Sequence, residues 1–201
     1  FIMMATSTNV DSINIIHLIE KSSRGVEIGV WKGSTTKKFL QRNLEKLVLI
    51  DPWSTDPYKQ RGEEEFNTYL ERYSKMVNGE KEENFQSYYE KVFKEVSALF
   101  ADLPCVEICR TTSAQWFDEH WDGELFDWVY IDGDHSHEGA LYDLEMSQKI
   151  VRKGGLIIGD DYKWHGSGGK PGVKKAVDEF SRNTGIKPKQ YGKHQFVMVN
   201  G

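Results

Sequence analysis

Cysteine is nearly absent from the 201-residue chain, which holds only Cys105 and Cys109, both in the stretch CVEIC. That stretch reads as a strand, and four residues of strand separate two Cα atoms by roughly 13 Å. A disulfide wants less than about 7 Å, so the two cannot pair in that conformation. No CxxC spacing is present either, so neither a disulfide framework nor a zinc site is indicated. Two free thiols in a reducing compartment are expected, with Cys109 a core residue. Long apolar runs are missing too: none approaches the ~18 residues of a membrane span. The opening FIMMATSTNV lacks the basic region and apolar core of a signal peptide, and a cytoplasmic protein without a membrane partner is the expectation. Positive charge is not in excess. Lys and Arg number 26 against 31 Asp and Glu, for a net charge of −5, which speaks against neutralising a phosphate backbone and so against nucleic acid as a partner. What remains, 38% hydrophobic and 28% charged residues, suits one soluble α/β domain, and is too short for two comfortable ones.

Short apolar runs alternate with helical patterns, the signature of a parallel sheet. Strands are expected at about 25–30, 46–51, 105–110, 127–132, 155–160, 187–191 and 195–199, with helices at about 34–43, 113–121, 137–152 and 172–184. Only Tyr191-Gly192-Lys193-His194 joins the last two strands, too little for a crossover helix, so they should pair antiparallel. Residues 54–104 break the alternation and form a helical insert within the single domain 1–201. Phe66, Tyr69, Leu70, Tyr73, Met76 and Val77 recur at helical spacing, as do Phe85, Tyr88, Tyr89, Val92, Phe93, Val96, Leu99 and Phe100. Between them NGEKEEN offers a turn and an N-cap candidate at Asn84. Two readings stand: burial of these stripes against the domain's own sheet, or a cap over the active site or homo-oligomer contact.

The segment VEIGVWKGSTT places Glu27, Gly29 and Gly33 around the end of the first strand, with Ser34 or Thr35 opening a helix. Glycine lets a backbone approach a ligand closely, and the helix N-terminus favours negative charge. The second strand ends in Asp51, where a carboxylate can accept both hydroxyls of a ribose. The spacing is ExGxxxG. Neither the GxGxxG of most dinucleotide binders nor the GxxxxGK[ST] of nucleoside triphosphate sites is present. A nucleoside site and a mere tight turn are the two readings of this segment.

With these residues, the chain resembles the class I S-adenosylmethionine-dependent methyltransferases from about Gly25 to its end, outside the insert. The resemblance implies a Rossmann-like doubly wound sheet of order 3-2-1-4-5-7-6 with strand 7 antiparallel. It also implies that Glu27, Gly29 and Gly33 hold the methionine part of S-adenosylmethionine and Asp51 its ribose. Thr112 and Ser113, after the third strand, then fall beside the adenine, with Ser113 the better candidate.

A second concentration of charge is VYIDGDHSH, ending the fourth strand at Asp132, and a third is GLIIGDDY, ending the fifth at Asp160 and Asp161. Ligands of open parallel sheets bind beyond the carboxyl ends of the strands, and in the implied order strands four and five are neighbours. Converging carboxylates repel one another unless a cation neutralises them, and hard oxygen ligands suit Mg²⁺. Helix capping by some of these residues is the alternative, and Asp134, Ser136 and His137 are placed for it. IDGDH, GDDY and PGVKKAVDEF narrow the resemblance to the macrolide-sugar O-methyltransferases and cephalosporin-hydroxylase-like proteins, with catechol O-methyltransferase more distant. It implies Asp132, Asp160 and Asp161 as metal ligands, Asp132 also on the cofactor side, and His135 as general base.

The remaining histidines carry less. His17 and His120 lie in helical patterns, and His194 falls in the hairpin turn. Trp164-His165 is placed to line a substrate pocket, and HGSGGKPG reads as a mobile loop with Lys170 facing substrate or solvent. The leading reading is a Mg²⁺-assisted O-methyltransferase acting on a hydroxylated small molecule, such as a sugar. The alternatives are hydroxylase-like chemistry or a non-catalytic nucleoside binder on the same fold. An NAD-dependent oxidoreductase is the least favoured.

Overall fold

The computed structural model describes residues 15–163 and 171–201. Trp164, His165 and Lys170 lie outside the described residues. Seven strands form one sheet in the order β3-β2-β1-β4-β5-β7-β6: β1 Arg24–Ile28, β2 Lys46–Ile50, β3 Val106–Cys109, β4 Phe126–Ile131, β5 Val151–Gly159, β6 Lys189–Tyr191 and β7 Gln195–Val199. The first five pair in parallel, and β7 runs antiparallel to both β5 and β6. This is the expected order and hand of pairing. Cys105 and Cys109 are both free. No described helix is long and apolar enough to cross a membrane.

Period-two alternation divides each central strand between two layers of core. Val26, Ile28, Val48, Ile50, Val129, Ile131 and Ile157 face one side. There they meet α6 (His137–Ile150) and α7 (Gly172–Thr184), through Leu144, Val177 and Phe180. Leu47, Leu49, Trp128, Tyr130 and Ile158 face the other side, against Phe39 of α1 (Thr36–Phe39). One boundary moves from its expected place. The helix expected to reach 152 stops at Ile150, and the strand expected from 155 starts at Val151. Val151 pairs with Phe126 before a register shift brings Trp128 opposite Leu156. The polar and glycine residues Arg152 to Gly155 hide this early strand from a hydrophobic pattern.

The insert holds three helices, α2 (Asp56–Lys59), α3 (Glu63–Val77) and α4 (Glu82–Phe100). Its two stripes have different fates. Val92, Val96 and Phe100 of α4 join the core on the second sheet face, whereas Tyr69 and Val77 of α3 cluster with Phe85 of α4 instead. Asn84 is not the cap: α4 begins at Glu82 with Lys81 in the N-cap position, so Asn84 lies inside its first turn. After β3, α5 (Ser113–Gln115) leads into a π-helical turn at Trp116–His120.

Candidate active site

Strand register brings the pieces together. Ile28, Ile131 and Gly159 are neighbouring pairing partners across β1, β4 and β5. Gly29, Asp132 and Asp160 therefore leave the sheet side by side at its carboxyl end. Gly29 has φ +85°, and a Cβ there would run into the carbonyl of Asp132. Only glycine fits that position, because the β1 and β4 exits touch backbone to backbone. Gly33 also has a positive φ, of +70°. The space beside it is filled by the ring of Phe100, which a Cβ would meet at 2.8 Å. The glycine expected to face a ligand thus also seats the insert.

Glu27 is fully buried. Its Oε2 accepts a hydrogen bond of 2.6 Å from Thr36, the first residue of α1, and Oε1 has no partner. Burial pushes this carboxyl up to about 8 against the Thr36 bond, and the charges of Asp132 and Asp51 add to the rise. A buried acceptor without a donor is costly to keep. It fits a ligand cation such as an ammonium.

Asp51 ties the two exits of β1 and β2. Its Oδ2 accepts from the backbone N–H groups of Val30 (3.0 Å) and Trp31 (2.9 Å), and Oδ1 from Trp53 (2.7 Å). Burial raises its pKa against these three bonds. Trp31 and Trp53 both adopt positive φ, +47° and +40°. Two bulky residues held in this conformation mark a loop that its contacts over-determine. Lone pairs left on the Asp51 oxygens can still accept ribose hydroxyls. After the neighbouring strand β3, Thr112 caps α5 in a reciprocal box with Gln115, and Ser113 follows it.

At the end of β4, His135 Nε2 lies 3.4 Å from Asp132 Oδ1 and 3.3 Å from Asp161 Oδ2. One ligand atom from each of Asp132, His135 and Asp161 falls within 4.8 Å of the others. This is a donor set of the size and chemistry that a divalent ion takes. Burial pushes the Asp132 carboxyl up to about 6 against its His135 bond, with Asp160 and Asp161 adding to the rise. Because 35% of its side chain stays exposed, solvent moderates that shift. Burial alone would lower the His135 pKa, but the Asp132 bond and the carboxylates of Asp132, Asp161 and Asp134 outweigh it, and the net shift is upward.

Asp160 does not join this set. Its Oδ2 accepts from the Tyr130 hydroxyl at 2.8 Å and from Gln195 Nε2 at 3.2 Å, and its Oδ1 accepts from the Asp161 backbone at 2.8 Å. Asp161 takes φ +58°, a left-handed turn that presents its carboxylate toward His135. Of the adjacent pair, one aspartate is an inward strut and the other faces the cleft. Asp134, Ser136 and His137 divide as turn and cap residues. Asp134 Oδ1 accepts from the Ser136 N–H, Ser136 is the N-cap of α6, and His137 bonds Glu179 of α7 at 2.9 Å.

Several contributors escape a reading of motifs. Thr36, Tyr130 and Gln195 each act as a partner to a carboxylate that was visible. Arg61 of the insert forms an ion pair with Asp134, a contact across 73 residues that no local pattern encodes.

The family described as methyltransferase domain matches residues 26–162. An uncharacterized protein of Acanthamoeba polyphaga mimivirus, R132, is 24% identical over 193 residues, which cover 92% of this chain and 71% of that one. Among solved structures, the chain is similar to the O-methyltransferase TomG of Streptomyces achromogenes, involved in tomaymycin synthesis and solved in complex with S-adenosylmethionine (TM-score 0.60, 14% identity, 94% of this chain and 79% of that one). It is also similar to the N-methyltransferase NodS of Bradyrhizobium japonicum (0.59, 12%, 94% and 92%). A further likeness is to an O-methyltransferase of Bacillus cereus in complex with S-adenosylhomocysteine (0.53, 15%, 94% and 78%). At such identities the structures speak for the fold, and the family match covers the strands that build the cleft from β1 to β5. The chain belongs to the methyltransferase-domain family and has the Rossmann-like methyltransferase fold.

Proposed function

We propose that the protein transfers the methyl group of S-adenosylmethionine to a hydroxyl of a small molecule, such as a sugar, with the help of a divalent cation, Mg²⁺ by the chemistry of the donors. The observation that carries this reading is the convergence of Asp132, His135 and Asp161 beside the glycine turn. Asp132 and Asp161 would hold the cation, with His135 either completing the set or serving as base. The orphaned Oε1 of Glu27 suits the cofactor's ammonium group. The Gly29 turn allows close approach, Asp51 accepts the ribose hydroxyls, and the Thr112–Ser113 turn lies beside the adenine. When bound, S-adenosylmethionine supplies an electrophilic sulfonium methyl, and the cation lowers the pKa of the acceptor hydroxyl.

His135 has the right chemistry for a base and the wrong charge until its neighbours are neutralised. Asp132 and Asp161 hold its imidazole toward the cationic form. Once their charge is compensated, the imidazole can take the acceptor's proton near neutral pH. The residues of both clusters then fix nucleophile and methyl in line, and such positioning accounts for much of the barrier. The Arg61–Asp134 pair supports a capping role for the insert, which would screen the cleft from water.

Transfer of labelled methyl to a panel of hydroxylated small molecules tests the reading. Activity should vanish with EDTA and return with Mg²⁺, and His135→Ala should bind S-adenosylhomocysteine normally yet lose rate. Full activity in EDTA would overturn the cation's role, and a normal rate in His135→Ala would remove the base.

A further inference from the structure

Away from the cluster just described, Asp143 of α6 stands out. It is 1% exposed, and neither carboxylate oxygen has a hydrogen-bond partner. An ionisable group sealed in this way costs the fold free energy, which a purely structural position would shed by becoming apolar. Helical spacing fixes its direction. Ala140, Asp143, Leu144 and Ser147 are the buried face of α6, so the carboxyl is aimed inward rather than across the surface.

What it faces is the underside of two turns. A Cβ built on Gly133 would lie 3.6 Å from Asp143 Oδ2, placing the carboxyl beneath the Gly133–Asp134 turn after β4. The same helix, α6, packs against α5, which Ser113 opens after β3. Burial pushes the Asp143 carboxyl up to about 7, the Ser113 hydroxyl works to lower it, and the Asp134 charge adds to the rise. Ser113 is thus a neighbour that favours the carboxylate. No hydrogen bond to either Asp143 oxygen is closed in this structure.

We infer that Asp143 is a positioning residue for the nucleoside: it accepts the Ser113 hydroxyl and thereby fixes the Thr112–Ser113 turn against the adenine. This inference rests on the proposed placement of the adenine beside Ser113. A carboxylate acceptor makes a charge-assisted bond, roughly twice as strong as a neutral one, so the turn it holds is stiffer than a capping box alone would make it. Asp143 itself touches no reacting atom.

Titration calorimetry on the full chain tests this, using S-adenosylhomocysteine and its inosine counterpart, which carries an oxo group in place of the adenine amine. Asp143→Ala should weaken S-adenosylhomocysteine about tenfold and the inosine compound much less, so the preference between them falls. Ser113→Ala should do the same, and the double variant should be no weaker than either single one. Asp143→Asn keeps an acceptor oxygen and should recover most of the affinity. An unchanged preference in Asp143→Ala, or losses that multiply in the double variant, would overturn the inference. If Asp143→Ala does not fold, the Asn variant carries the test. Ser113→Ala should then cost less in the Asn background by the same factor that Asp143→Asn itself loses, and an equal cost despite that loss, or no loss in Asp143→Asn, overturns the idea. Wild-type protein that binds neither compound would bring down the proposed nucleoside site and this inference with it. Wild-type binding with unaltered variants would bring down this inference alone.

Discussion

Binding of the cofactor should expel a proton from Glu27. In the free protein this carboxyl is fully buried, one of its oxygens has no donor, and burial pushes it up to about 8. At pH 7 it is therefore roughly nine-tenths protonated, by the ordinary titration relation. An ammonium seated at Oε1 favours the carboxylate and drops the pKa well below neutrality. Association at pH 7 then releases close to ~0.9 proton, and the affinity rises with pH because the bound state holds fewer protons than the free one. Between pH 6 and pH 8 the association constant for S-adenosylhomocysteine should climb by more than about tenfold and level off above 8. Calorimetry in buffers of different ionisation enthalpy reads the proton count directly. Asp132, Asp143 and Asp51 are raised as well, so Glu27→Gln is the necessary control: it keeps the shape and should abolish most of the release. The free protein supplies a second readout. A group whose folded pKa is raised contributes stability that is complete below its unfolded pKa, near 4.5, and is lost as pH climbs through 8. Glu27→Gln should flatten that decline. Heat that does not depend on buffer, together with a flat pH profile, would refute the reasoning.

Other expectations follow from the same geometry. Gly29→Ala forces a Cβ into the Asp132 carbonyl at φ +85° and should cost about 3 kcal/mol, or roughly 6–12 °C of melting temperature by differential scanning calorimetry; an unshifted transition would contradict the close approach. Asp161→Asn should abolish the EDTA-sensitive activity while leaving the melting temperature within a few degrees. Asp160→Asn should instead lower the melting temperature, because Tyr130 and Gln195 lose their charged acceptor at about 1–3 kcal/mol; the reverse pattern would exchange their roles. Gly172→Ala places a Cβ against the His135 carbonyl, and the rate constant should fall with little change in cofactor affinity, as measured by single-turnover kinetics beside calorimetry.

Much of this architecture is legible in the chain because its causes are local. Apolar runs stop at or beside Glu27, Asp51, Asp132 and the Asp160–Asp161 pair, so the residues proposed for the site stand out where each run stops. The short Tyr191–His194 link forces the antiparallel hairpin. The boundary near Val151 is less legible because Arg152 to Gly155 form the irregular stretch between the pairs Phe126–Val151 and Trp128–Leu156 and leave no apolar trace. Asn84 illustrates a different failure: a good capping residue goes unused because α4 extends back to Glu82. The division of labour within Asp160-Asp161 is set by Tyr130 and Gln195, 30 and 35 residues away. Two identical adjacent side chains cannot announce which one turns inward. Glu27 could be placed from the motif, but its orphaned oxygen and its charge state depend on complete burial, which only the packed sheet and Thr36 determine.

A crystal structure grown with S-adenosylhomocysteine and Mg²⁺ bears most directly on the central claim. The cofactor's ammonium should lie within hydrogen-bond distance of Glu27 Oε1 and its ribose against Asp51, with an ion bonded to Asp132 and Asp161. A cofactor seated elsewhere, or Glu27 Oε1 still without a partner beside it, would contradict the assignment of this cleft.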